Sequence, residues 1–140
     1  MNQTIQHQYR FKDISSFDVF QVYMTTEHHE AFSRAACHIS REIDGHSSMY
    51  DGYCDAVNVS LSNGALIEQQ WWTNEEEWPI GHRSRILIQL FQEGKDTILK
   101  FTQDGVPLTM LDRIEKGWFT YYWEPMDAYL QSLPILPDEE

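Results

Sequence analysis

From Ile5 to Phe11 the chain alternates: Ile5, His7, Tyr9 and Phe11 share one side, and Gln6, Gln8 and Arg10 the other. Successive residues of a strand point to opposite faces, so this segment predicts a half-buried β-strand. The period then changes. Ser15 or Ser16 can cap a helix, Asp18 falls in its first turn where the dipole favours negative charge, and Phe17, Phe20 and Tyr23 follow at helical spacing. Thr25 or Thr26 can cap a second helix, with Glu27 and Glu30 early and Phe32, Ala35 and Ala36 on its apolar face.

Between Cys37 and Gln103 the pattern is one of strands broken at Asp44-Gly45, Asp51-Gly52, Asn63-Gly64, Gly94 and Asp104-Gly105. Asx-Gly pairs suit turns that need a positive φ, and Asn63-Gly64 between two apolar runs reads as a hairpin. Val57, Val59 and Leu61 are expected to face inward and Asn58 to face solvent. Ile86, Ile88 and Leu90 share a face of a later strand, and Leu99 and Phe101 a face of the last. Pro107 stops that strand. A long helix is expected from about Thr109 to Gln131, with Leu111, Ile114, Trp118, Tyr122, Met126 and Tyr129 on one stripe and a kink at Pro125. Residues 1–132 are expected to form one domain and 133–140 an extended acidic tail. The predicted class is α+β: a strand, two short helices, and a curved antiparallel sheet of about six to seven strands around a long C-terminal helix. That order is the helix-grip architecture, which often leaves a cavity between sheet and helix.

Composition narrows the partners. A chain of 140 residues suffices for one core without metal or disulfide staples. Its 22 acidic and 10 basic side chains give a net charge of −12, which argues against duplex nucleic acid or an anionic membrane as partner. No apolar run approaches a membrane span, and the polar stretch from Met1 to Gln8 is not expected to be a secretory signal. Cys37 and Cys54 are expected as free thiols in a reducing cytoplasm, a single bridge being the alternative. Aromatic residues make up 14%, so the placement of those rings decides how the chain works.

One ordered set of segments carries a resemblance. Trp78-Pro79-Ile80-Gly81-His82, Thr97-Ile98-Leu99, Gly105-Val106-Pro107 and Gly117-Trp118-Phe119-Thr120-Tyr121-Tyr122-Trp123 follow one another. With these the chain resembles the C-terminal domain of the activators of heat-shock protein 90 ATPase and the bacterial proteins grouped with it, most strongly over Ile67 to Tyr129. The resemblance implies a START-like (SRPBCC) helix-grip fold, and it raises a heat-shock protein 90-type chaperone as a candidate partner. It departs from that family at Trp72, where relatives often carry Arg, and over Gly45 to Met49, where they tend to pair glycines. The resemblance covers the C-terminal domain alone, so a counterpart of the separate N-terminal domain through which the eukaryotic activator stimulates the chaperone is not expected in this sequence.

Candidate site residues follow from the rings. His7 and Tyr9 on the first strand, Trp71 on a central strand, and Trp118 and Tyr122 on the long helix are candidate ligand contacts for an apolar small molecule; ordinary core packing is the competing reading. Trp78 in a loop, with Phe119 and Trp123 on a second helix face, are candidate contacts for a protein partner or a second copy of the chain, again against core packing. Trp71 and Trp72 are neighbours on a strand, so only one of them points inward. Glu27-His28-His29-Glu30 has metal-ligand residue types, but adjacent helical histidines do not share a face, and a solvated helix start is the better reading. Glu75-Glu76-Glu77 reads as a solvated acidic loop. No catalytic constellation, metal site or cofactor motif stands out, so the expectation is a binding protein. A cyclase or dehydratase of the wider superfamily is the last alternative.

Overall fold

The computed structural model of the chain describes residues 2–133. The order is β1 (Asn2–Phe11), α1 (Ser16–Met24), α2 (Thr26–Ser33), β2 (His46–Met49), β3 (Cys54–Ser62), β4 (Leu66–Thr73), β5 (Ser84–Glu93) and β6 (Asp96–Pro107). A 3-10 turn (Leu108–Met110) leads into α3 (Leu111–Trp118), a π-helical segment (Phe119–Trp123) and α4 (Glu124–Ser132). The six strands form one antiparallel sheet in the order β1-β6-β5-β4-β3-β2. This is the helix-grip fold, with the C-terminal helix lying in the curve of the sheet. Beyond Leu133 the expected acidic tail lies outside the described residues.

Ser15 caps α1 by accepting from the Asp18 N–H at 3.1 Å, which satisfies one of the helix's unpaired donors. Its apolar side, Val19, Phe20, Val22, Tyr23 and Met24, is buried, and α1 packs against β5, β6 and α4. Helix α2 is shorter than its apolar pattern suggests. Arg34 adopts a left-handed φ of 57° and donates its N–H to the Glu30 carbonyl, so Ala35 and Ala36 lie beyond the helix.

Strand β3 reverses the expected face assignment. Asn58 is fully buried and Val59 is 41% exposed. The reason is polar: Asn58 Nδ2 donates to the carbonyls of Ser40 (2.8 Å) and Glu42 (2.9 Å), and its Oδ1 accepts from Gln69 Nε2 (2.8 Å). Gln69 Oε1 in turn accepts the Tyr23 hydroxyl at 3.1 Å. A buried amide with its groups filled pins the 34–45 loop to the sheet, a specific gain that valine in that place lacks. A bulge between Asn58 and Ser60 then shifts the register of the strand's outer half.

Asp104-Gly105 is likewise no strand break. It lies inside β6, where Gly105 (φ +87°) permits an irregularity opposite the shift between Gln3 and Thr4 of β1. The Asn63-Gly64 hairpin joins β3 to β4 as expected, with Gly64 at φ +74°. At the C-terminal helix the anticipated disturbance at Pro125 appears as the π-helical segment just before it, with the proline in the first turn of α4.

Candidate functional site

A cavity of about 520 Å³ lies between the C-terminal helix and the β3–β4 side of the sheet. Cys54 of β3 and Trp71 of β4 line it from the sheet, and Ile114, Gly117, Trp118, Tyr121 and Tyr122 from the helix. Tyr50 and Tyr53, flanking the β2–β3 turn, line it as well, together with Glu75 and Arg113. Cys54, Trp71, Ile114, Trp118 and Tyr122 are buried, whereas Arg113 and Tyr121 are exposed, so the former make the interior and the latter the mouth.

Local geometry explains this lining. Tyr50, Asp51 and Gly52 all have positive φ (52°, 56° and 88°), a tight reversal that sets both tyrosines beside the cavity. Tyr50 and Asp51 adopt this region without glycine's freedom, and strained residues held by their surroundings cluster at functional sites. The Tyr50 hydroxyl donates to the Tyr121 carbonyl. In an α-helix that carbonyl would receive the N–H of residue 125, and Pro125 has none. Gly117 sits one residue before Trp118 and removes a side chain from the helix where space is needed.

Trp71 and Trp118 meet with centroids 5.7 Å apart, and Tyr122 packs 4.8 Å from Trp118. Trp118 is anchored: its Nε1 donates to Gln103 Oε1 at 2.8 Å, Gln103 Nε2 to Ser84 Oγ at 3.0 Å, and Ser84 Oγ to the Trp71 carbonyl at 2.7 Å. Tyr122 is tied to α2. His29 Nδ1 donates to the Tyr23 carbonyl at 2.9 Å, which leaves Nε2 as acceptor for the Tyr122 hydroxyl at 3.2 Å. His29 is fully buried, and desolvation pushes its pKa down to about 4 against a smaller opposing effect of the Tyr23 carbonyl. The helix-start reading of that segment therefore fails for His29, which is a core residue. His28 holds the Tyr129 hydroxyl at 2.7 Å.

Burial pushes the Cys54 thiol up to about 12, and its neighbours Tyr122 and Trp71 offset only part of this. Burial and Glu30 push Cys37 up to about 11. Both are free and protonated at neutral pH, which makes them poor nucleophiles. No group of three or more His, Cys, Asp or Glu able to hold a metal occurs among the described residues. At the mouth, Arg113 of α3 reaches Glu75 at 3.2 Å and Glu77 at 2.7 Å, and the Tyr53 hydroxyl donates to Glu75. Two of the three glutamates expected in solvent thus bridge the β4–β5 loop to the helix.

The sequence candidates separate cleanly. Trp71, Trp118 and Tyr122 stand together on the cavity wall, and Trp72 is on the outer face under the Arg83 guanidinium at 4.2 Å. His7 and Tyr9 do not line the cavity. His7 is stacked on Phe101, packs at a tilt against Phe119 and accepts from Trp123 Nε1, while Tyr9 donates to Asp127 Oδ2 at 2.7 Å. They fasten β1 to the helix because that strand lies at the opposite edge of the sheet from the cavity. Trp78 and Trp123 are buried, at 5% and 0% exposure, and offer no free face to a partner. Phe119 is half-buried against His7 and Tyr9. Tyr50, Tyr53, Cys54, Arg113, Ile114 and Gly117 are lining residues that the sequence does not single out as candidate contacts. Gly117 inside an aromatic helix, with tyrosines flanking Asp51-Gly52, was the available signal for them.

Among the described residues no helix is long and apolar enough to cross a membrane. The family model described as "Activator of Hsp90 ATPase homolog 1-like protein" matches residues 13–131. The "Activator of 90 kDa heat shock protein ATPase homolog" of Dictyostelium discoideum is 30% identical over 105 residues, 74% of this chain and 27% of that protein. The human homolog 1 is 26% identical over 107 residues, 76% of this chain and 31% of that protein. The chain thus spans under a third of the length of these relatives. An HSP90 activator from Plasmodium falciparum superposes with a TM-score of 0.80 at 16% identity, covering 94% of this chain and 96% of that one. The Aha1 dimer from Colwellia psychrerythraea does so with a TM-score of 0.75 at 17% identity, covering 91% and 96%. With its helix-grip fold and a match over most of its length, the chain belongs to the activator of Hsp90 ATPase homolog 1-like family.

Proposed function

We propose that this protein is a non-catalytic binding module that holds an apolar small molecule between the sheet and the C-terminal helix. The observation that carries this reading is the cavity itself: about 520 Å³, with Trp71, Trp118, Tyr122, Tyr50 and Tyr53 on its walls. Ligand sites of a few hundred Å³ are walled by aromatic and apolar groups with a few placed polar atoms, and burial of the ligand's apolar surface supplies the driving force. Fluorescence titration with N-phenyl-1-naphthylamine, a neutral apolar probe, tests it. Saturable binding that Gly117→Leu abolishes is the expected result. A Cβ at Gly117 meets only Tyr121 Cδ2, at 3.7 Å, an ordinary contact, and the rest of the leucine side chain is expected to occupy the cavity that Gly117 lines. Absence of saturable binding, or binding unchanged in that variant, sinks the reading.

A second reading, contact with a heat-shock protein 90-type chaperone, is favoured by the names of the curated relatives, which call those proteins activators of that ATPase. A pull-down and an ATPase assay with purified chaperone decide it; no association and no change in turnover remove it. Self-association is favoured in the same way by the solved relative described as a dimer, and sedimentation analysis of this chain is its test.

A further inference from the structure

Within the proposed binding site, the polar atoms of the lining are nearly all engaged inside the protein. The Tyr50 hydroxyl serves a backbone carbonyl, that of Tyr53 serves Glu75, that of Tyr122 serves His29, and the Trp118 indole serves Gln103. One buried donor is left over. Trp71 is 3% exposed, and its Nε1 is the buried side-chain nitrogen without a hydrogen-bond partner among the described residues. An orphaned buried donor costs free energy that a matching acceptor recovers. The nearest group is the Cys54 sulfur, also on the cavity wall; a thiol sulfur is a weak acceptor, so a ligand oxygen in its place is the stronger partner.

Charge at the mouth narrows the choice. Arg113 is shared between Glu75 and Glu77, so the cluster carries one positive and two negative groups and leaves no cation to receive an anionic ligand. A cationic ligand would lose its hydration in an interior with no free carboxylate, which is costly. We propose that the cavity selects neutral aromatic or aliphatic ligands bearing a single hydrogen-bond acceptor, a ketone or ester carbonyl, and that the Trp71 indole N–H receives it. This rests on the reading of the cavity as a small-molecule site and adds the ligand's chemical class.

Three probes of one shape separate the parts of the proposal: benzophenone (neutral, one carbonyl), diphenylmethane (neutral, no acceptor) and 4-benzoylbenzoate (anionic). Benzophenone is expected to bind about tenfold more tightly than diphenylmethane, the worth of one recovered hydrogen bond, and more tightly than the carboxylate. The Trp71 indole proton resonance should shift with benzophenone and not with diphenylmethane. Two variants, Trp71→Phe, which deletes the donor, and Cys54→Ser, which supplies an internal acceptor, should each bring the benzophenone-to-diphenylmethane ratio close to one. The resonance shift is read on the native chain, so it decides even where a variant does not fold. Equal binding of the two neutral probes with an unmoved indole resonance overturns the acceptor and leaves the apolar cavity standing. Tighter binding of the carboxylate overturns the charge selection, and binding of none of the three overturns the cavity reading together with this one.

Discussion

The hydroxyl of Tyr50 donates to the backbone carbonyl of Tyr121, the carbonyl that would otherwise receive the N–H missing from Pro125. The proline withholds the α-helical donor from that carbonyl, and the tight turn at Tyr50 supplies another. Tyr50→Phe should cost up to about 1 kcal/mol, the worth of an ordinary hydrogen bond. In a Pro125→Ala background, where residue 125 has its own N–H, the same change should cost less. Chemical denaturation of the four proteins measures the coupling, and strict additivity would show that the two features are independent.

Acid should unfold this protein earlier than its carboxylates alone dictate. The folded-state pKa of His29 lies near 4, below the ordinary 6.5; that of His7 is also lowered, chiefly by burial and against an opposing pull from Glu115. A histidine depressed in the folded state leaves the unfolded chain binding more protons. Stability is therefore full above about pH 6.5 and falls as pH drops toward the folded values. For His29 the loss between pH 7 and pH 5 is about 2 kcal/mol. Urea titrations at the two pH values should show it, and His29→Gln should remove most of it. A flat profile in the native chain is the contrary result.

Asn58→Val restores the alternation that the sequence suggests for β3 and should nonetheless destabilise. It strips the carbonyls of Ser40 and Glu42 of their side-chain donor and leaves Gln69 Nε2 without its acceptor. The cost is about 2 kcal/mol or more, read from the denaturation midpoint. An unchanged or raised midpoint would mean that the buried amide network carries no net stability.

Trp123 donates to His7 Nε2 at 2.8 Å, and because an indole only donates, the His7 proton sits on Nδ1, facing Glu115 Oε2 at 3.3 Å. His7→Phe should cost about 1–3 kcal/mol by orphaning a fully buried indole N–H. It should leave N-phenyl-1-naphthylamine binding unchanged, since His7 stands outside the cavity. Loss of probe binding with the fold intact would return His7 to the site.

Local periodicity determined much of this protein. The alternation at Ile5–Phe11, the Ser15 cap, the Asn63-Gly64 hairpin and the aromatic stripe of the C-terminal helix each report a preference of the backbone within a few residues, and their order along the chain is that of the helix-grip fold. That Trp71, Trp118 and Tyr122 face the space under the helix was also legible, because one long helix gripped by a sheet has one inner face. Tertiary structure alone decided the rest. Asn58 points inward because carbonyls of a distant loop fill its amide, and His29 is buried because Tyr23 and Tyr122 satisfy both its nitrogens. His7 faces the helix yet misses the cavity because β1 is the far edge of the sheet. Strand order, partner identity and the space left by Gly117 depend on residues far apart in the chain, and no local pattern of hydrophobic and polar positions encodes them.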